Sequence, residues 1–277
     1  MKDYCLELVS KQASANAKLN VMREYLQAWI LRSMHEYGAF RSAAFLGGTA
    51  LRFLYGLGRF SEDLDFSLTR QERGYPFGEM LARIKEDLLA AGYEVSVAYN
   101  DEKIVNHAFF RFGGLLYDAG ISPLKSQKLS IKLEVDTNPP QGADLETHIV
   151  NKYFPFTFLT YDLESLFAGK LHAVLSREYV KGRDYFDLGW YLSKWKDLTP
   201  NLKLLANALR QTKFKGTLPA KNNWRQAVLK AVSRANWDIV KKDVENFLEN
   251  QADLNVFTKE NILGLLRLPK SLTTARQ

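Results

Sequence analysis

The longest regular pattern lies near the start of the chain. Between Ala15 and Glu36, the residues Leu19, Met22, Leu26, Ile30 and Met34 recur at intervals of three and four, the stripe of an amphipathic helix. Ala43 to Leu46 is a short apolar run that reads as a buried strand, Gly47-Gly48 as a turn, and Ala50 to Tyr55 as a short helix. From Asp63 to Leu68 polar and apolar residues alternate as on a half-buried strand, and Phe77 to Ala91 returns to helical spacing. Three strand-like runs follow, Tyr93 to Tyr99, Val105 to Phe112 and Lys128 to Asp136, with Gly113-Gly114 as a turn signal between the last two. Asn138-Pro139-Pro140-Gln141-Gly142 interrupts regular structure, and from Asp162 onward the patterns are nearly all helical. This order predicts an α+β fold: a domain with a mixed or antiparallel sheet over residues 1–150, then a C-terminal helical domain over residues 151–277.

Composition narrows the setting. The 277 residues are 46% hydrophobic and 25% charged, ordinary values for a chain that buries a real core. A single cysteine, Cys5, excludes an intramolecular disulfide or a cysteine-rich zinc site, and the four histidines show no ligand spacing. His107, His148 and His172 have no evident partners. No apolar run approaches the ~18 residues of a membrane span, and MKDYCLELVSKQ lacks a signal-peptide core, so a cytoplasmic protein with no membrane partner is expected.

Charge is unevenly spread. Residues 201–277 hold 14 Lys and Arg against 6 Asp and Glu, and no acid falls between Asp197 and Asp238. Lys203, Arg210, Lys213, Lys215, Lys221, Arg225, Lys230 and Arg234 all lie in that interval, which favours a polyanionic partner such as RNA over a merely solvated face. Trp190, Trp195, Trp224 and Trp237 sit in helical patterns and read as core rather than as base-stacking groups.

Two local constellations carry chemistry. Gly47-Gly48-Thr49 follows an apolar strand at a helix start, where glycines let backbone N–H groups approach a phosphate and Thr49 adds a hydroxyl. Asp63-Leu64-Asp65-Phe66 then sets two carboxylates on one strand face about 6–7 Å apart, with Leu64 and Phe66 turned to the core. Like charges so placed repel, and packing does not account for them. Divalent metal does: two Mg²⁺ about 3.5–4 Å apart align the attacking and leaving oxygens of a phosphoryl displacement. Such a site needs a further carboxylate, and Ile131-Lys132-Leu133-Glu134-Val135-Asp136 offers both Glu134 and Asp136 on one face of a strand.

Other residues leave alternatives open. Lys170 falls inside the helical stripe of Leu163, Leu166, Phe167, Leu171, Val174 and Leu175, where a lysine either snorkels from the edge or meets an anion; a ligand role is favoured over snorkelling. Asp184 and Asp187 suit a helix start, where capping explains them without catalysis. Arg52 and Arg59 contact phosphate or anchor the aspartates by ion pairing.

Together GGTALR, RFSEDLDFSL, IKLEVD, AGKLHAVLSR and KGRDYFDL, in that order, make the chain resemble the DNA polymerase β nucleotidyltransferase superfamily, and more narrowly the AbiEii and MenT group of bacterial toxins. The resemblance implies an NTP substrate held by Gly47, Gly48, Thr49, Arg52 and Lys170. It further implies Mg²⁺ or Mn²⁺ on Asp63, Asp65 and either Glu134 or Asp136, and a catalytic part for Asp63, Asp65, Glu134 and Asp184. The site is expected in a cleft between the two domains, transferring a nucleoside monophosphate to the 3′ end of tRNA within a toxin–antitoxin pair. The same chemistry on a small-molecule or protein acceptor, and a non-catalytic RNA-binding module, are the alternatives.

Overall fold

The computed structural model describes residues 1–70 and 75–267. Its chain divides into two compact units, residues 1–139 with 145–160, and residues 140–144 with 161–277. No described helix is long and apolar enough to cross a membrane.

The first unit is built on a mixed seven-stranded sheet. Its strands are β1 (Ala43–Leu46), β2 (Leu64–Leu68), β3 (Val95–Asn100), β4 (Val105–Phe112), β5 (Leu129–Asp136), β6 (Leu145–Asn151) and β7 (Pro155–Tyr161), in the spatial order β3-β4-β5-β2-β1-β7-β6. β2 runs antiparallel to β1 and parallel to β5, which puts the expected carboxylate strands side by side near the centre of the sheet. The runs expected as strands are all present. β6 and β7, which straddle the break expected near residue 150, were not visible in the pattern. β6 is an edge strand with an exposed face, so it lacks the alternation that marks a half-buried strand.

Five helices complete this unit: α1 (Lys2–Ser10), α2 (Ala15–Tyr37), α3 (Gly47–Tyr55), α4 (Phe77–Ala90) and the single turn α5 (Leu115–Asp118). Ser14 caps α2 by accepting the Ala17 N–H at 3.1 Å, and Gly38 ends it in the left-handed region at φ 84°. The α2 stripe expected from the sequence is buried, and Met22, Leu26 and Ile30 pack in one core with Met80 and Ile84 of α4 and with Phe45, Leu64, Phe66, Leu133 and Val135 of the sheet. That core covers one sheet face. Register then assigns Asp65, Ser67, Glu134 and Asp136 to the other face, because neighbouring partners point the same way and successive residues alternate.

The second unit is helical: α6 (Leu163–Ser176), α7 (Gly182–Lys194), α8 (Leu202–Gln211), α9 (Trp224–Arg234), α10 (Trp237–Val244), α11 (Asp253–Val256) and α12 (Lys259–Arg267). Asp162 caps α6 by accepting the Ser165 N–H at 2.9 Å. Trp224 is buried edge-on against Phe167, which itself stacks on Tyr191 at 4.5 Å, so this tryptophan belongs to the core as expected. At the start of α7 the backbone of α10 comes so close that a Cβ on Gly182 would collide with the Val240 carbonyl oxygen. Gly182→Ala should therefore push α7 and α10 apart and cost about 1–3 kcal/mol, read as a lowered unfolding midpoint in denaturant. An unchanged midpoint would show that the two helices accommodate a methyl group.

Candidate active site

β1 delivers the chain to the glycine pair. Leu46 is still extended, and Gly47 then turns sharply at φ 76°, a conformation that favours glycine, so α3 begins at the turn itself rather than at Ala50. A Cβ on Gly47 would collide with Asp65 Oδ2; one on Gly48 would strike the Arg59 guanidinium and lie 3.0 Å from Ser61 Oγ. Gly47 thus lies directly against the Asp65 carboxylate in a backbone conformation that favours glycine.

Thr49 is buried, and its hydroxyl donates to the Asp63 carbonyl at 2.5 Å. Its one side-chain proton is therefore used to tie α3 to the start of β2, a placement that the phosphate-donor expectation had not foreseen. From the other side, the buried Gln27 amide of α2 donates to the carbonyls of Ser61 (3.1 Å) and Glu62 (2.9 Å). The residues just before Asp63 are held from two directions.

Register brings the acids together across strands. Asp65 of β2 is the direct partner of Glu134 of β5, whereas Asp136 is paired with Ser67, one repeat further along. Asp136 Oδ1 accepts the Asn138 N–H at 2.9 Å, and burial, opposed in part by that bond, pushes its carboxyl upward. Glu134 is engaged differently: Lys132, two residues earlier on the same strand face, places Nζ 2.7 Å from Glu134 Oε1. Burial works against the Lys132 ammonium, but the hydrogen bond to Glu134 and the negative charges of Glu134, Asp63 and Asp65 outweigh it and push Lys132 upward. All three carboxylates therefore act on one cation. The sequence reading passed over Lys132, although its spacing from Glu134 places both on one face by strand alternation.

All-oxygen carboxylate donors suit a hard divalent cation, and the Lys132 ammonium is a cation already drawn to them. Among the described residues, no three His, Cys, Asp or Glu side chains are gathered as a metal-holding group. Register sets Asp65 beside Glu134, and Glu134 is turned to Lys132.

Arg52 is not at this site in the expected way. It is 5% exposed; its Nε bonds the buried Glu24 carboxylate of α2, its Nη1 donates to the Leu57 carbonyl at 2.9 Å, and its guanidinium lies 3.9 Å from the centre of the Phe60 ring. Glu24 also accepts from Lys152 (2.8 Å) and Tyr153 (2.7 Å). Arg52 is thus ion-paired to a glutamate of α2, a partner that neither reading named.

Within the helical unit, Lys170 on α6 lies 2.6 Å from Asp187 Oδ2 and 3.6 Å from Asp184 Oδ1, while Arg177 Nε lies 3.1 Å from Asp184 Oδ2. Lys170 thus meets anions inside its own unit. Asp184 lies in the first turn of α7 as expected, but the N-cap is Lys181 without a side-chain bond, and both aspartates are buried among these cations. Helix periodicity could not show this, because the partners come from a different helix.

A family model described as "Nucleotidyl transferase AbiEii toxin, Type IV TA system" matches residues 29–258. No curated protein matches the chain. Among solved structures, JHP933 from Helicobacter pylori is similar at 22% identity over 89% of this chain and 88% of that one, with a TM-score of 0.50. A structure described as a candidate nucleotidyltransferase from H. pylori is similar at 22% identity over 85% and 88% of the two chains, with a TM-score of 0.48.

Removing one partner of a buried ion pair leaves the other uncompensated. Arg52→Ala should lower unfolding stability by about 3–5 kcal/mol, measured by denaturant titration. Wild-type stability combined with weakened nucleotide binding would instead return Arg52 to a phosphate-binding role.

Proposed function

The chain belongs to the AbiEii family of nucleotidyl transferase toxins of type IV toxin–antitoxin systems, and on that premise we propose that Asp63, Asp65 and Glu134 hold a divalent cation, Mg²⁺ or Mn²⁺, for transfer of a nucleoside monophosphate from an NTP. The observation that carries this reading is the register of Asp65 with Glu134 beside the Gly47 turn. Asp136, bonded to Asn138 and one repeat away, is the weaker candidate for the third carboxylate.

Backbone N–H groups at Gly47 and Gly48 receive the triphosphate, since the absence of side chains there permits close approach. The closeness of Gly47 to Asp65 supports a triphosphate lying beside the carboxylates. A divalent cation held by Asp63, Asp65 and Glu134 would supply charge neutralisation for the triphosphate. An acceptor hydroxyl oxygen attacks the α-phosphorus, the bond from that phosphorus to the bridging oxygen breaks, pyrophosphate leaves, and the hydroxyl proton passes to a carboxylate or to solvent. For Lys170 the proposed role is that of a phosphate ligand, its ammonium oriented within the helical unit by Asp184 and Asp187. A partner antitoxin follows from the family.

We take RNA, and first the 3′ end of tRNA, as the acceptor. The acid-free stretch supports it: Lys203, Arg210, Lys213, Lys215, Lys221, Lys230 and Arg234 are exposed. Arg225 departs from this set, because its guanidinium donates to the carbonyls of Leu265 (3.1 Å) and Lys196 (2.9 Å) and serves the fold.

Incubation with each labelled NTP, Mg²⁺ and total RNA should label RNA with the wild-type protein, while Asp65→Asn loses about 100-fold or more of that transfer and keeps its circular dichroism spectrum. Near-wild-type transfer by Asp65→Asn would show that the carboxylates are misassigned.

If the exposed lysines track a phosphate backbone, acceptor binding should fall with salt at a log–log slope of about −0.7 to −0.9 for each phosphate contacted. The triple variant Lys213→Glu, Lys215→Glu, Lys221→Glu should weaken RNA binding and flatten that slope. Unaltered RNA binding across the salt series would favour a small-molecule or protein acceptor.

A further inference from the structure

The charge on the catalytic sheet face is more balanced than the carboxylate motif suggests. Lys132 and Glu134 share that face of β5, and their side chains are only about one-third exposed, at 33% and 30%. The Lys132 Nζ lies 2.7 Å from Glu134 Oε1 and feels Asp63 and Asp65 as well. Phe109, its register partner on β4, sets an aromatic ring 6.0 Å from the ammonium and limits where the side chain can go. A carboxylate oxygen hydrogen-bonded to an ammonium is a poorer donor to a metal, because the two cations compete for the same lone pairs and repel each other at short range.

We propose that Lys132 is a built-in competitor of the metal: it occupies Glu134 and balances the carboxylate cluster before loading, so that the cation binds only by displacing the Lys132 ammonium from Glu134. This rests on the metal-site reading above. It makes Lys132 a positioning residue with two opposed effects. Without metal it relieves repulsion among Asp63, Asp65 and Glu134 and thereby stabilises the fold. Toward metal it lowers affinity, which leaves the site weak for the cation alone.

The two effects separate in Lys132→Met, which keeps the apolar stem and removes the charge, with Lys132→Arg as the charge-retaining control. Mn²⁺ binding to the full chain, followed by electron paramagnetic resonance of the free ion, should be about three- to tenfold tighter in Lys132→Met than in wild type and unchanged or weaker in Lys132→Arg. In chelator, Lys132→Met should melt below wild type, and saturating Mn²⁺ should raise its melting temperature by more than it raises that of wild type. Equal or weaker Mn²⁺ binding by Lys132→Met overturns the proposal, even if its melting temperature falls, because a purely structural lysine would move stability and leave metal affinity alone. Absence of Mn²⁺ binding by wild type that is lost in Asp65→Asn overturns the metal-site reading itself, a different failure with a different signature.

Discussion

Like charges held side by side by backbone hydrogen bonds are the constraint on which the rest of this site depends. The parallel register of β2 and β5 sets Asp65 beside Glu134, and the sheet, packed on its other face against α2 and α4, leaves these acids no freedom to separate along the strands. Much of the surrounding sequence follows from that placement. Gly47 has no side chain because Asp65 occupies the space. Thr49 and Gln27 spend their hydrogen bonds on the segment leading into Asp63. Lys132 supplies positive charge from within the same strand.

The two units handle buried charge in different ways. In the sheet unit, Glu24 gathers Arg52, Lys152 and Tyr153 into a cluster that fastens α2 to α3 and to the β6–β7 turn. In the helical unit, Lys170, Asp184, Asp187 and Arg177 form a chain of ion pairs joining α6 to α7. Such clusters are costly to break one partner at a time, since the remaining charge stays buried. A buried arginine and a buried lysine in a nucleotide-binding family are therefore not equivalent. Arg52 is paired to Glu24 of α2, whereas Lys170 is paired to two acids of α7.

Features that depend on neighbours in sequence were legible before the structure. The α2 stripe, the strand alternation at Asp63 to Leu68 and at Leu129 to Asp136, and the glycine turn each announce themselves through spacing of two, three or four residues. Features that depend on pairing across the fold were not. That Glu134 rather than Asp136 faces Asp65 is a matter of strand register, and the ion pairing of Asp184 and Asp187 depends on Lys170 and Arg177, which come from elsewhere in the unit. Edge strand β6 gave no alternation because one of its faces is wholly exposed and the other only partly buried. Lys132 is legible by the same alternation, two residues before Glu134 on one strand face.

The most direct test of the metal-site account is crystallographic. Crystals soaked with Mn²⁺ and a non-hydrolysable NTP analogue should show anomalous difference density within about 2.0–2.3 Å of carboxylate oxygens of Asp63, Asp65 and Glu134, with the triphosphate against Gly47 and Gly48. Anomalous density elsewhere, with these three carboxylates still bound only to protein groups, would contradict it.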